Sequence, residues 1–355
     1  MFTASSSVPL ENARGVFEAL LSHMRGHDVV LDQTSDQAFT IHTGDNRIDI
    51  AWQNRNLDIQ ITAVSSSNLH LLKEAAVRHL AALDAPAAEA LRWLGAAGAS
   101  VPLASRPENF LIAEFVSRTE VMDGLVRLRL KCTDRFDQLC QGGIHVKLMV
   151  PKTVGRAPVW PSLAPNGMTT WPKGDDALIV RYYTIRRTIP EFQQIEIDVV
   201  RHSGGAVSDW AQTASPGDRI GLIGPGGGET PPEGARVMLI GDQTALPALY
   251  RMLEDLPPRV IGHVIAAAGS PAELAGYLPK SALAIHSIPP KSFADEVEGL
   301  ARQLGAVAAP DFAWFAGEYR SALAFRKLFK QTFGLSKGSK YAFTYWRQGQ
   351  KLDAR

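Results

Sequence analysis

Arg236-Val-Met-Leu-Ile-Gly-Asp-Gln-Thr-Ala-Leu-Pro247 begins as an uninterrupted apolar run, breaks at Gly241-Asp242 and turns into a helical pattern. A strand that is apolar on both faces belongs in a parallel sheet covered by helices above and below. The rhythm continues downstream. Thr244 to Leu256 reads as a helix, Val260 to Ala268 and Leu283 to Ile288 as strands, Phe293 to Leu304 as a helix, Phe312 to Ala316 as a strand and Tyr319 to Phe333 as a helix. Strand–helix alternation over 233–355 predicts an α/β domain built on a parallel sheet.

Upstream, residues 108–232 change character. Phe110 to Val121, Leu125 to Cys132, Ile144 to Val150, Leu178 to Ile185, Gln194 to Val200 and Arg219 to Ile223 read as six strands with mainly local connections, the pattern of an antiparallel β-barrel. Lys152 to Asp176, rich in Pro, Gly and Trp, reads as a long loop of this segment. Gly95 to Pro107 is small-residue-rich and reads as a linker, centred on 99–107. Residues 1–98 read as a small α+β domain. A helix over Ala13 to Met24 precedes strands around Ala38–Ile41, Ile48–Trp52 and Leu57–Ile61, and Asn68 to Leu83 closes the segment as a second helix. The expected fold class is therefore multidomain: a small α+β domain, an antiparallel β-barrel and a parallel-sheet α/β domain.

The chain has 355 residues, 45% hydrophobic and 21% charged, with a formal net charge of +1. Such a balance gives no strong field for nucleic acid or an anionic membrane. No apolar stretch is long enough to span a bilayer. Met1 to Pro9 lacks a basic segment followed by an apolar core, so a cytoplasmic location is expected. The two cysteines, Cys132 and Cys140, cannot supply an iron–sulfur site and match no zinc spacing; they read as reduced thiols. His23 and His27 are four apart, but Gly26 is expected to break the helix between them. They read as polar or capping residues, and no metal site is expected.

Two stretches carry chemistry. On one strand, Arg181-Tyr182-Tyr183-Thr184 places Arg181 and Tyr183 on one face and Thr184 on the other unless the strand twists. An arginine fork suits a pyrophosphate, a tyrosine ring can lie against a flavin, and a neighbouring hydroxyl can bond a flavin nitrogen. Ser203-Gly204-Gly205-Ala206-Val207-Ser208 follows. Its glycines let backbone amides approach an anion, and Ser208 reads as the cap of a short helix, so the Val207 and Ser208 amides are the pyrophosphate candidates. Taken alone, the turn reads equally as a plain loop before a helix. Gly241-Asp242 ends a strand of the α/β half, and Thr244 reads as the cap of the helix after it, a place where a nicotinamide nucleotide could bind. Ala316-Gly317-Glu318 ends another strand there, small enough for nicotinamide to come close. Both also read as ordinary strand-to-helix turns, and neither is a Gly-x-Gly-x-x-Gly fingerprint.

In combination these pieces resemble the siderophore-interacting proteins, flavin-dependent ferric-siderophore reductases with a ferredoxin-reductase-like fold. The likeness runs from about 108 to 349. It rests on His145-Val-Lys147-Leu, Arg181-x-Tyr-Thr-Ile-Arg186, Asp198-Val-Val-Arg-His202, Ser208-Asp-Trp-Ala211, Pro216-Gly-Asp218, Gly224-Pro-Gly-Gly227, Gly241 to Pro247, Ala316-Gly-Glu318 and Tyr345-Trp-Arg347-x-Gly349. Residues 1 to about 95 resemble, through Leu20-Leu-Ser-His23, His79-Leu80 and Trp93, a small domain of unknown function sometimes fused ahead of that family.

The resemblance implies an enzyme that passes electrons from NADPH or NADH through FAD to a ferric siderophore and so releases ferrous iron. Arg181 would meet the FAD phosphates, Tyr183 would stack on the isoalloxazine, and Thr184 would face the nitrogen that accepts hydride. Asp198, Val200 and His202 would line the ribityl and adenine side, with Val207 and Ser208 at the pyrophosphate. Gly241, Asp242, Thr244, Ala245 and Pro247 would hold NAD(P)H, with Gly317 and Glu318 nearby. Lys147, Arg186 and Arg347 would form a basic rim for an anionic ferric chelate. The chain departs from the family pattern at Ala206-Val207, where Pro-Ala is common, and at Gln243, where glutamate is common. A flavin or quinone reductase on the same fold, or a non-enzymatic siderophore-binding module, are the alternatives.

Overall fold

The computed structural model describes residues 1–27, 29–95, 106–132, 134–141, 143–153, 155–228 and 235–350. The chain forms two compact units: Met1–Phe110 with Gly155–Ala177, and Leu111–Val154 with Leu178–Arg355. The expected linker falls almost wholly outside the described residues.

The first unit is a five-stranded antiparallel sheet, ordered β1-β5-β4-β3-β2, with helices packed on it. Its strands are β1 (Phe2–Pro9), β2 (Val30–Ser35), β3 (Ala38–Thr43), β4 (Asn46–Gln53) and β5 (Asn56–Ala63); its helices are α1 (Ala13–Arg25), α2 (Ser66–Ala81) and α3 (Ala85–Ala90). One face of the sheet alternates inward. Ile48 and Ile50 on β4 meet Leu57, Ile59 and Ile61 on β5 in a core shared with Phe17 and Leu20 of α1 and Leu69 and Leu80 of α2. Fully burying each such side chain is worth about 1.5–3 kcal/mol. Gly155–Ala177, expected as a loop of the barrel segment, belongs to this first unit instead. Its polar groups are anchored there: the Trp93 indole donates to the Asn166 carbonyl (2.8 Å), Asn166 donates to the Ala88 carbonyl (3.1 Å), and the Thr169 amide donates to Glu74 (2.9 Å). Within it β9 (Ser162–Leu163) and β10 (Thr169–Thr170) pair as a short ribbon.

The second unit opens with a closed six-stranded antiparallel barrel, as expected. It is made of β6 (Phe110–Met122), β7 (Leu125–Cys132), β8 (His145–Pro151), β11 (Leu178–Ile189), β12 (Gln194–Val200) and β13 (Arg219–Gly226), in the order β11-β12-β7-β6-β13-β8. Leu128, Leu130 and Cys132 of β7, Val146 and Leu148 of β8, and Ile195, Ile197 and Val199 of β12 fill one core, which α4 (Ala206–Thr213) joins through Val207 and Ala211. Burial pushes the Cys132 thiol up to about 12, so it stays protonated and packs as a small hydrophobe.

A parallel sheet follows, ordered β16-β15-β14-β17-β18, from β14 (Arg236–Gly241), β15 (Ile261–Ala267), β16 (Ala284–Ile288), β17 (Phe312–Glu318) and β18 (Lys340–Trp346). Alternation decides its layers. Val237 and Leu239 face one core with α5 (Leu246–Glu254) and α6 (Pro271–Tyr277), whereas Met238 and Ile240 face another with α7 (Phe293–Val307) and α8 (Tyr319–Lys327). That two-sided burial is why the Arg236–Ile240 run is apolar throughout.

Candidate functional site

β11 carries the first group of expected site residues, in antiparallel register with β8: Arg181 opposite Leu148, Tyr183 opposite Val146, Thr184 opposite His145. Arg181 is half-buried and donates to its own neighbour, the Val180 carbonyl (2.7 Å). Among the described residues no carboxylate lies within ion-pair distance of it. Tyr183, half-buried, packs against the barrel core, and burial raises its phenol well above the ordinary range. The Thr184 hydroxyl bonds His145 Nδ1 (3.1 Å), and His145 Nε2 bonds the Tyr345 hydroxyl at the end of β18 (3.3 Å). Burial holds the His145 imidazole down to about 4, so at neutral pH it is uncharged, with one ring nitrogen donating and the other accepting.

The turn after β12 fits a phosphate differently from the expectation. α4 starts at Ala206 with Gly205 as its cap, which offers no side-chain bond, and among the described residues no side chain accepts from the first-turn amides. Ser208 lies inside the first turn rather than before it. Its hydroxyl accepts from the His202 amide (3.0 Å) and donates to the His202 carbonyl (3.0 Å), tying the turn shut. Gly204 sits at φ +75°, and a Cβ on Gly205 would lie 2.2 Å from the His202 ring. Uncapped amides, a glycine turn and an arginine without a carboxylate suit a pyrophosphate, and a half-buried tyrosine suits a flavin ring, so the residues present fit FAD. Val200 packs into the core beneath the parallel sheet, and the His202 side chain is exposed.

Two expected residues have other work. Asp198 receives a bidentate pair from Arg127 (2.8 and 2.9 Å) and the Tyr277 hydroxyl of α6 (2.6 Å). Its carboxylate is spent inside the protein and is not free for a ribityl chain. Arg186, expected on a basic rim, is only 8% exposed. It donates to Glu196 (2.9 Å), and its guanidinium lies 3.7 Å from the centre of the Tyr250 ring of α5. The cause is a β-bulge at Ile185/Arg187, which breaks alternation and turns Arg186 inward beneath the parallel sheet. The rim candidates that stay accessible are Lys147, whose ammonium lies 5.5 Å from the exposed Tyr182 ring, and Arg347, stacked 4.4 Å over Tyr319.

The carboxyl edge of the parallel sheet gathers Gly241-Asp242, Gly317-Glu318 and Trp346-Arg347 from the adjacent strands β14, β17 and β18. Asp242, not Thr244, caps the following turn. It accepts from the Thr244 amide (2.9 Å), the Thr244 hydroxyl (2.5 Å) and the Trp346 indole (2.7 Å). Burial raises its carboxyl, and those donors pull the other way. Glu318 caps α8 and also accepts from the Gln348 amide (3.3 Å). Gly241 and Gly317 are required by close packing: a Cβ would lie 2.5 Å from Ala245 Cβ or from Asp242 Oδ2, respectively. Ala245 and Pro247 are buried, so their side chains pack rather than face a ligand. Gln243 donates to the Asp123 carbonyl of the β6–β7 turn (3.0 Å), a bond the glutamate common in the family could not make.

Sequence reasoning missed the chain from Thr184 through His145 to Tyr345; the motifs were visible, but Tyr345 meets His145 across 200 residues. It read His23 and His27 as polar or capping residues separated by Gly26, and did not bring His79 to them. His23, His27 and His79 bring ring nitrogens within 4.8 Å of one another.

Comparison with known proteins identifies the family. Residues 114–229 match the siderophore-interacting FAD-binding domain, and 234–349 match the siderophore-interacting protein domain. Ferric vibriobactin reductase ViuB of Vibrio cholerae is 27% identical over 264 residues, covering 68% of this chain and 91% of its own. Ferric acinetobactin reductase of Acinetobacter baumannii is 31% identical over 184 residues, covering 48% of this chain and 62% of its own. Among solved structures, a siderophore utilization protein from T. fusca superposes with a TM-score of 0.55 at 28% identity, over 71% of this chain and 98% of its own. SipS from Aeromonas hydrophila superposes at 0.56 and 25% identity, over 68% of this chain and 93% of its own. With both halves of the second unit matched in order, the chain belongs to the siderophore-interacting protein family.

Proposed function

We propose that this chain is an NAD(P)H-dependent ferric-siderophore reductase using FAD. The observation that carries the reading is Arg181. Arg127, Arg129 and Arg186 elsewhere on the barrel each hold a carboxylate, whereas Arg181 holds none among the described residues and shares its strand with Tyr183 and Thr184. Bound FAD supplies the conversion between a two-electron hydride donor and a one-electron acceptor, the ferric iron of the chelate. Arg181 and the open amides of α4 hold its pyrophosphate; Tyr183 holds the ring.

With FAD bound, Thr184 would offer its hydroxyl to the flavin nitrogen that takes up hydride, and His145 sets the direction of that hydroxyl. With the proton on Nε2, His145 Nδ1 accepts from Thr184, which then offers a lone pair to an N–H. With the proton on Nδ1, Thr184 is free to donate. A neutral imidazole bonded at both nitrogens can thus serve either state of the nitrogen, and Tyr345 completes the relay. The backbone at Gly241–Thr244 and Gly317–Glu318 receives the nicotinamide nucleotide at the carboxyl edge of the sheet. Lys147 and Arg347 draw in the anionic chelate. Reduction weakens the grip of hard oxygen ligands on iron.

Anaerobic mixing of the FAD-loaded protein with NADPH or NADH tests the reading. The flavin absorbance should bleach and return when a ferric siderophore is added, with ferrous iron trapped by a colorimetric chelator. A protein that takes up FAD but stays oxidised with both nucleotides refutes the enzymatic reading; return of colour with quinone but not with ferric chelate refutes the substrate.

A further inference from the structure

Outside the site described above, the first unit carries a cluster of three imidazoles. His23 lies in the last turn of α1, His27 just beyond that helix, and His79 near the end of α2. His23 Nε2 is 3.0 Å from His79 Nδ1 and 3.2 Å from His27 Nε2, and the three ring centroids are 4.7, 5.2 and 4.9 Å apart. Gly26 does not break the approach. It stays right-handed (φ −78°, ψ −11°), and the Gly26 and His27 amides bond the His23 and Met24 carbonyls, a tight turn that brings His27 back over His23.

Hydrogen bonding alone accounts poorly for this meeting. A ring nitrogen carries one proton or one lone pair, so His23 Nε2 can form one good bond and not two. A cation placed between the rings satisfies all three nitrogens at once. Tetrahedral ligands at a zinc–nitrogen distance of about 2.0–2.1 Å stand about 3.3–3.4 Å apart, close to the contacts seen here. The His79 ring also lines an apolar crevice with Leu20, Met24 and Leu72, which fixes one side of the cluster. His27 is exposed, leaving the other side open.

From this geometry we infer that His23, His27 and His79 form a binding site for a divalent transition-metal ion, with a fourth position open to solvent. Three imidazoles, with no carboxylate joining the cluster among the described residues, select zinc-like cations over magnesium or calcium, which prefer oxygen. The inference rests on the first unit alone and is independent of the reductase reading.

The test uses the untagged full-length protein, stripped with a chelator and titrated with Zn2+ against a chromophoric competitor, and with Co2+ for its absorption spectrum. One equivalent of Zn2+ should bind, Co2+ should give intense four-coordinate bands, and Mg2+ should not compete. His27→Ala and His79→Gln should each weaken Zn2+ by about 100-fold or more, since even outer-shell losses cost 10–100-fold. His42→Ala should bind as wild type. Because His27 is exposed beyond the helix, its variant keeps the test valid if His79→Gln misfolds. Wild type binding no tighter than His27→Ala, equal competition by Mg2+, or a cobalt spectrum of a fully hydrated ion would each overturn the assignment.

Discussion

Removing Arg186 asks whether this arginine meets substrate or holds the second unit together. In Arg186→Ala, Glu196, 4% exposed, keeps Arg129 at 3.3 Å and Arg127 at 3.8 Å as its cationic neighbours among the described residues. The Tyr250 ring loses a guanidinium stacked at 3.7 Å. Breaking a buried ion pair by removing one partner costs about 3–5 kcal/mol, and a desolvated cation–π contact about 2 kcal/mol. The two share one group, so they overlap, and a total near 3–5 kcal/mol is expected. For a unit of about 150–250 residues each kcal/mol moves the midpoint by about 2–4 °C, so a fall of roughly 6–20 °C follows. Differential scanning fluorimetry of the FAD-loaded protein measures it. Arg186→Ala combined with Glu196→Gln should lose less than the sum of the two single changes, because the second change removes the stranded charge. A folded Arg186→Ala protein within about 0.5 kcal/mol of wild type, but weakened toward ferric chelate, would refute the structural role and restore the rim.

Arg181→Ala should weaken FAD by about 10- to 150-fold, the loss of charge-assisted hydrogen bonds worth about 1.5–3 kcal/mol, read by fluorescence titration of released flavin. His145 is held down to about 4 in the fold against about 6.5 unfolded, so the unfolded chain binds its proton first; its stabilising share is present above about pH 6.5, is lost as pH falls toward 4 and is flat below. Comparing denaturant midpoints of wild type and His145→Phe across pH 4–8 isolates that share, and the wild-type curve should fall more steeply between pH 6.5 and 4. Tyr277→Phe removes a 2.6 Å bond to Asp198 and should cost about 1.5–3 kcal/mol by chemical denaturation, with FAD affinity nearly unchanged. Gly317→Ala places a methyl 2.5 Å from Asp242 Oδ2 and should disturb the nucleotide edge, seen as a raised KM for NAD(P)H with FAD still bound.

Strong periodicity was legible. The six barrel strands and the run at Arg236–Ile240 carry long apolar patterns that burial enforces. Weak patterns were not. β1 buries Ala4, Ser6 and Val8, a face too small and polar to stand out; Ser6 is admitted to the interior because its hydroxyl accepts from the Arg92 amide (3.3 Å). β18 was visible only as its closing motif, because Tyr341, Phe343 and Tyr345 alternate with short residues at the sheet edge. α6 is a seven-residue helix with only Leu274 and Tyr277 buried, below the length at which helical spacing declares itself. Arg186 was misplaced because one bulge reverses alternation, and nothing in Thr184-Ile185-Arg186 encodes that bulge locally. The three histidines meet across 56 residues, so only the packing of α1 against α2 could bring them together.

The same polar residue types fall into two classes once their partners are counted. Asp198, Arg186 and Asp242 looked like ligands because charged residues near a glycine turn often are. Each is instead consumed within the protein, and consuming them has a purpose. Arg186 and Asp198 bind barrel strands to α5 and α6 through Tyr250 and Tyr277, while Asp242 binds β14 to β18 through Trp346. The proposed redox site, between the barrel and the parallel sheet, needs that joint held at fixed spacing, since a displacement of about 1 Å can cost 100-fold in rate. What remains unspent is Arg181, the first amides of α4, and the outward edges of Lys147 and Arg347. On the proposed function, these donors at the rim of a joint locked by spent ones are where an anionic cofactor and an anionic substrate gain the most, because binding there breaks no ion pair among the described residues. On this reasoning a variant that frees Asp242, such as Trp346→Phe, should slow hydride transfer without weakening FAD, separating the joint from the cradle.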